Sequence, residues 1–75
     1  MKIRIELTDS AGRHAAQIGA DVAAAARALE SSVQIGDRIC LGGGHADDFA
    51  VIRRRIVVEG ARAILVVTLD HPARA

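Results

Sequence analysis

Three strand-like segments follow one another with very short spacers in the C-terminal half of this chain, over residues 33–41, 49–59 and 62–70. A parallel pair would need a crossover of a dozen or more residues, and neither connection is long enough for one. The segments are therefore predicted to pair as a three-stranded antiparallel meander. The last of them is apolar on both faces, with Ile64 and Val66 on one and Leu65, Val67 and Leu69 on the other, the pattern of a central strand covered on both sides.

The N-terminal end supplies a further strand. Ile3, Ile5 and Leu7 alternate with Lys2, Arg4 and Glu6, the period of a half-buried strand. Thr8-Asp9-Ser10-Ala11-Gly12-Arg13 then carries the residue order of a type I turn closed by a left-handed glycine, which predicts a hairpin returning over residues 14–19 with Gly12 at positive φ. The rival reading is a long helix from Ser10, because Ile18, Val22, Ala25 and Leu29 fall on one helical stripe. Against it, Gly12 and Gly19 would both lie inside the helix, at about 1 kcal/mol each. Asp21 is a good N-cap for a helix from Val22 to about Glu30, buried through Val22, Ala25, Ala26 and Leu29. Gly36-Asp37 interrupts the strand over 33–41 with a bend. Residues 42–48 read as a flexible loop, and residues 72–75 as a frayed tail after Pro72.

The fold class expected is thus α+β, a small single domain over residues 1–75: an N-terminal hairpin, one short helix and the meander. This order of elements resembles the β-grasp arrangement of ubiquitin-like proteins. The resemblance implies that fold without conjugation chemistry, since the sequence ends Pro72-Ala73-Arg74-Ala75 where the conjugating members carry an exposed Gly-Gly tail.

Seventy-five residues with a hydrophobic fraction of 51% and Phe49 as the one aromatic give a core of small aliphatic side chains. A domain this size buries only about 60% of the surface its unfolded chain exposes. Cys40 is the one cysteine, so no internal disulfide compensates, and pairing with a second copy is the expected remedy. A single thiol and no apolar leader-like run fit a cytoplasmic setting. The longest apolar run, residues 63–67, falls far short of the roughly 20 residues that span a bilayer, so no membrane association is expected. With net charge +1, no global field draws the chain to nucleic acid.

Gly42-Gly43-Gly44 leads through His45-Ala46-Asp47-Asp48 into a strand, whereas phosphate-binding glycine loops open helices. Cys40, His45, Asp47 and Asp48 match no metal-site spacing. Cys40 with His14, His45 or His71 matches no catalytic signature, and a lone cysteine in a strand is expected as a small buried hydrophobe. No cofactor, metal or enzymatic activity is expected.

Arg53-Arg54-Arg55 is the densest charge. On simple alternation, Arg53 and Arg55 share a face with Val51 and Val57, and Arg54 lies between Ile52 and Ile56 on the other. One face must be buried, so one arginine should lie near the core beside a carboxylate, with Glu6, Asp37, Glu59 and Asp70 as candidates. The functional expectation is a small non-enzymatic accessory or protein-interaction module, homo-oligomeric. The alternative is a nucleic-acid-binding accessory protein contacting phosphates through Arg53, Arg55 and Arg62, with Arg38 as a further candidate.

Overall fold

The computed structural model describes residues 1–73. The elements run β1 (Lys2–Leu7), α1 (Asp9–Ile18), α2 (Val22–Ala28), β2 (Arg38–Cys40), a 3-10 turn (His45–Asp47), β3 (Asp48–Glu59) and β4 (Arg62–Asp70). The four strands form a mixed sheet in the order β1-β4-β3-β2. β4 pairs parallel with β1, placing Ile3, Ile5 and Leu7 beside Leu65, Val67 and Leu69. The β2-β3 and β3-β4 pairs are antiparallel, so the meander expected from the sequence is present. Gly60, at φ 59°, makes the tight turn from β3 to β4, where a left-handed residue is needed.

No hairpin follows β1. Thr8 caps a helix instead: its Oγ1 accepts from Ala11 N at 3.2 Å and donates to Asp70 Oδ1 at 2.7 Å, while Ser10 Oγ donates to the same oxygen at 3.1 Å. The bonds to the end of β4 fix the chain direction at a place where the local sequence suits a turn equally well. Gly12 lies inside α1, and Gly19, at φ 64°, ends it with its N–H bonded to the Ala15 and Ala16 carbonyls. Only one of the two glycines therefore weakens the helix; the other terminates it. With the return strand goes the β-grasp order.

Asp21 caps α2 as expected, its carboxylate accepting from Ala24 N at 3.0 Å. None of the residues on the apolar face of α2 is fully buried. Nor is there a strand over most of residues 33–41. Asp37 Oδ2 accepts from Gln34 N, and Gly36 takes φ 94°, so residues 34–37 form a turn that leaves only Arg38–Cys40 to pair with β3.

Both helices lie on one face of the sheet. Ala11 and Ala15 of α1 pack with Val33, Phe49, Val51, Leu65, Val67 and Leu69. Ala11, like Phe49 and Leu65, has no exposed surface; a methyl group at the contact lets α1 approach the sheet closely. Each buried leucine, valine or phenylalanine contributes about 1.5–3 kcal/mol. β4 is central, as expected, but a second layer covers one side of it only. On the other face Val66 is nonetheless just 2% exposed. It stands between Arg4 and Arg55 in one cross-strand row, and the aliphatic stems of arginines can cover such a residue while their heads stay in water. Ala73 N donates to Asp48 O at 3.3 Å, tying down the chain after Pro72; the tail expected at Arg74 and Ala75 lies outside the described residues.

Candidate interaction surfaces

A bulge decides which way the arginines of β3 point. Val51 stands opposite Leu69, but Arg53 stands opposite Thr68, so Ile52 is an extra residue and the alternation shifts by one. Arg54, opposite Val67, therefore shares the helix face with Val51 and Ile56, while Arg53 and Arg55, opposite Thr68 and Val66, lie on the uncovered face with Val57. Simple alternation placed Val51 with Arg53 and Arg55, and the bulge corrects it. Nor does Arg54 have a carboxylate partner among the described residues. Its Nη2 donates to Ser31 O at 3.3 Å, and its buried Nε has no hydrogen-bond partner.

The uncovered face gathers Arg53, Arg55 and Arg62, the residues singled out from sequence, with Lys2 and Arg4 of β1. Glu6 and Glu59 share it. Among the described residues no arginine comes within 4.0 Å of a carboxylate; the ion pairs are His14–Asp47 and His45–Asp48, at 2.8 and 3.6 Å. Arg38, on β2 opposite Ala50, is exposed at the far edge of the sheet.

The same sheet leaves backbone edges open. β2 pairs only with Asp48, Phe49 and Ala50 of β3, and Val51 completes its bonding with Gly36 and Asp37. From Ile52 to Glu59 no strand of the described residues lies on that side of β3. Ile52, Ile56 and Val58 are 44%, 54% and 69% exposed there. At the opposite end of the sheet β1 has β4 on one side and, among the described residues, no strand on the other. Unpaired N–H and C=O groups beside exposed aliphatic side chains form a template for another strand. Sequence reading missed this feature, because it requires knowing how short β2 is.

A third feature joins residues distant in sequence. His14 Nε2 lies 2.8 Å from Asp47 Oδ1, and the His14 and His71 rings stack at 3.7 Å with 8° between their planes. His71 Nε2 donates to Ala46 O at 2.7 Å. Phe49 lies beneath, its ring centroid 5.8 Å from that of His14 and 5.0 Å from that of His71. An ionised carboxylate only accepts, so His14 carries its proton on Nε2. Asp47 also accepts from Gly43 N at 3.1 Å. The hydrogen bond from His14 holds its carboxyl below the ordinary carboxylate range; partial burial opposes the shift, and Gly43 N–H and the two histidines reinforce it. The loop over residues 42–48 is thus organised rather than a free connection. A Cβ on Gly42 would collide with the Asp47 carboxylate. Cys40 is exposed, not the buried hydrophobe expected, because β2 is an edge strand; its thiol donates to the Gly42 and Gly44 carbonyls at 3.2 and 3.4 Å. The hydroxyls of Thr8 and Ser10 are committed to Asp70. The bonds of this cluster fasten the loop to α1 and to the segment after β4, and among the described residues no nucleophile is bonded to either imidazole. Among the described residues no three histidine, cysteine or acidic side chains converge as metal ligands, and no helix is long and apolar enough to cross a membrane.

Fold and surfaces together define a two-layer α+β module with one bare sheet face and open strand edges. No family model, curated protein or solved structure matches the chain.

Proposed function

We propose that this chain is a small non-enzymatic interaction module that works as a homodimer, its copies joined along the free edge of β3. The observation that carries the reading is that edge, unpaired among the described residues from Ile52 to Glu59 with Ile56 and Val58 exposed beside it. A twofold axis perpendicular to the sheet pairs two such edges antiparallel and sets residues of the same face opposite each other. Centred on Ile56, the register places Ile56 against itself, Arg54 against Val58, Arg55 against Val57 and Arg53 against Glu59. Centred on Arg55, it would set two arginines face to face, which is destabilising. Centred on Val57, it shortens the ladder and leaves Arg53 beyond it. The first register joins the two four-stranded sheets into one of eight and covers the apolar side chains that the core leaves open.

Light scattering tests the assembly. A mass of two 7.9 kDa chains is expected at about 100 µM, falling on dilution as a mass-action equilibrium requires. Ile56→Lys should give the single-chain mass at the same concentration. A wild-type mass of one chain throughout overturns the proposal.

A second reading has its own support. Arg4, Arg53, Arg55 and Arg62 share the bare face without ion-pair partners among the described residues, which suits contact with nucleic-acid phosphates. Each such contact contributes about 0.9 to the slope of log affinity against log salt for duplex DNA. Arg53→Ala with Arg55→Ala should lower that slope by about 2. No binding of duplex or single strand at low salt removes this reading and leaves the first intact. In either case the expected setting is cytoplasmic.

A further inference from the structure

The edge of β1 carries an inference that does not rest on the homodimer. Between this strand and α2 runs a groove of about 770 Å³. Ile3 and Ile5 of β1 and Val22 and Leu29 of the α2 segment form its apolar wall, each only partly buried. Lys2, Arg4 and Arg27 stand along it, and among the described residues no aspartate or glutamate lines it. Lining by both parities of β1 means that the groove follows the free edge of the strand rather than one face.

We infer that this groove binds an extended segment of a partner protein in which aliphatic residues alternate with aspartate or glutamate, added to the sheet as a strand beside β1. The backbone of such a segment bonds the open edge, and its alternate side chains give specificity. Residues on the side of Ile3 and Ile5 enter the apolar part of the groove against α2. Those on the side of Lys2 and Arg4 stand beside these residues at the cross-strand spacing of about 5 Å between Cβ atoms.

The probe is a fluorescein-labelled octapeptide alternating valine and glutamate, titrated with the intact protein and followed by anisotropy. Micromolar binding is expected. Arg4→Glu, at an exposed position, and Ala26→Trp, which fills the groove, should each weaken it about tenfold or more, equivalent to about 1.4 kcal/mol. Thermal melts of both variants establish that they are folded; if Ala26→Trp does not fold, Arg4→Glu decides alone. Replacing the glutamates by lysine, or alternate valines by proline, should abolish binding, since proline removes backbone donors from the added strand. No binding up to about 1 mM, equal binding of the glutamate and lysine peptides, or full affinity in folded Arg4→Glu overturns the inference. The light-scattering mass is independent of all these outcomes, because β3 and β1 are opposite sides of the sheet.

Discussion

Arg54 and Val67 face each other across the β3-β4 ladder, on the side of the sheet that bears the helices. The guanidinium gains one bond there, to Ser31 O, while its Nε is buried without a partner. An unsatisfied buried donor costs about 1–3 kcal/mol, whereas replacing it with an apolar group of similar shape is often neutral or stabilising. Arg54→Met should therefore leave stability unchanged or raise it by up to about 1 kcal/mol. Arg53→Met, at an exposed position, should stay within about 0.5 kcal/mol of wild type. Urea titrations of monomeric protein check both; a loss of more than about 1 kcal/mol in Arg54→Met would show that the bond to Ser31 outweighs the orphaned nitrogen.

The two glycines of the first helical segment separate in sign. Gly12 lies inside α1, and a Cβ there meets nothing within 4 Å, so Gly12→Ala should stabilise by about 0.5–1 kcal/mol. Gly19, at φ 64°, is the left-handed cap, and Gly19→Ala should destabilise by about 1 kcal/mol. Melting temperatures of the pair measure the difference. Destabilisation by Gly12→Ala would favour the turn that residues 8–13 alone suggest.

That ambiguity marks how far the sequence was legible. The bounds of β4, the meander and the cap at Asp21 follow from signals within a few residues: alternation, a glycine turn and a short acidic side chain. α1 was not legible, because what selects it is the burial of Ala11 and Ala15 and the pairing of Thr8 with Asp70, contacts made only after β4 is in place. The bulge at Ile52 shifts every later side chain of β3 by one face with no glycine or proline to announce it. Arg53, Arg55 and Arg62 nonetheless kept a common parity and arrived on one face. The stacked pair His14 and His71 joins α1 to the chain after β4, and nothing local to either residue signals it.

Asp47 sets an acid dependence. Its carboxyl is held below the ordinary range in the folded chain, first by the hydrogen bond from His14, so the unfolded state takes up this proton more readily. The stabilisation is fully present above the unfolded value of about 3.9 and is lost as pH falls through the lower folded one. Asp47→Asn should lower the melting temperature at neutral pH, and the gap from wild type should close below about pH 4. A gap independent of pH would contradict this assignment.

Gly42 and Asp47 should behave as a unit. Gly42→Ala drives a methyl group into the Asp47 carboxylate, and the loss expected is about 1–3 kcal/mol. Proton NMR of the His14 imidazole should register the displacement. An unperturbed His14 signal would mean that the loop moves aside at no cost to the pair.

The central claim is that β3 pairs with its copy in the register centred on Ile56, and reversing the charges of Arg53 and Glu59 tests it most directly. Each pair appears at both ends of the antiparallel ladder, and a cross-strand ion pair contributes about 0.2–1 kcal/mol. Arg53→Glu alone and Glu59→Arg alone should each weaken the dimer about tenfold, since like charges then face each other twice. The double reversal restores opposite charges and should recover most of the lost affinity, measured by sedimentation equilibrium. A double variant as weak as either single one, or a wild-type chain that remains monomeric, would contradict the account.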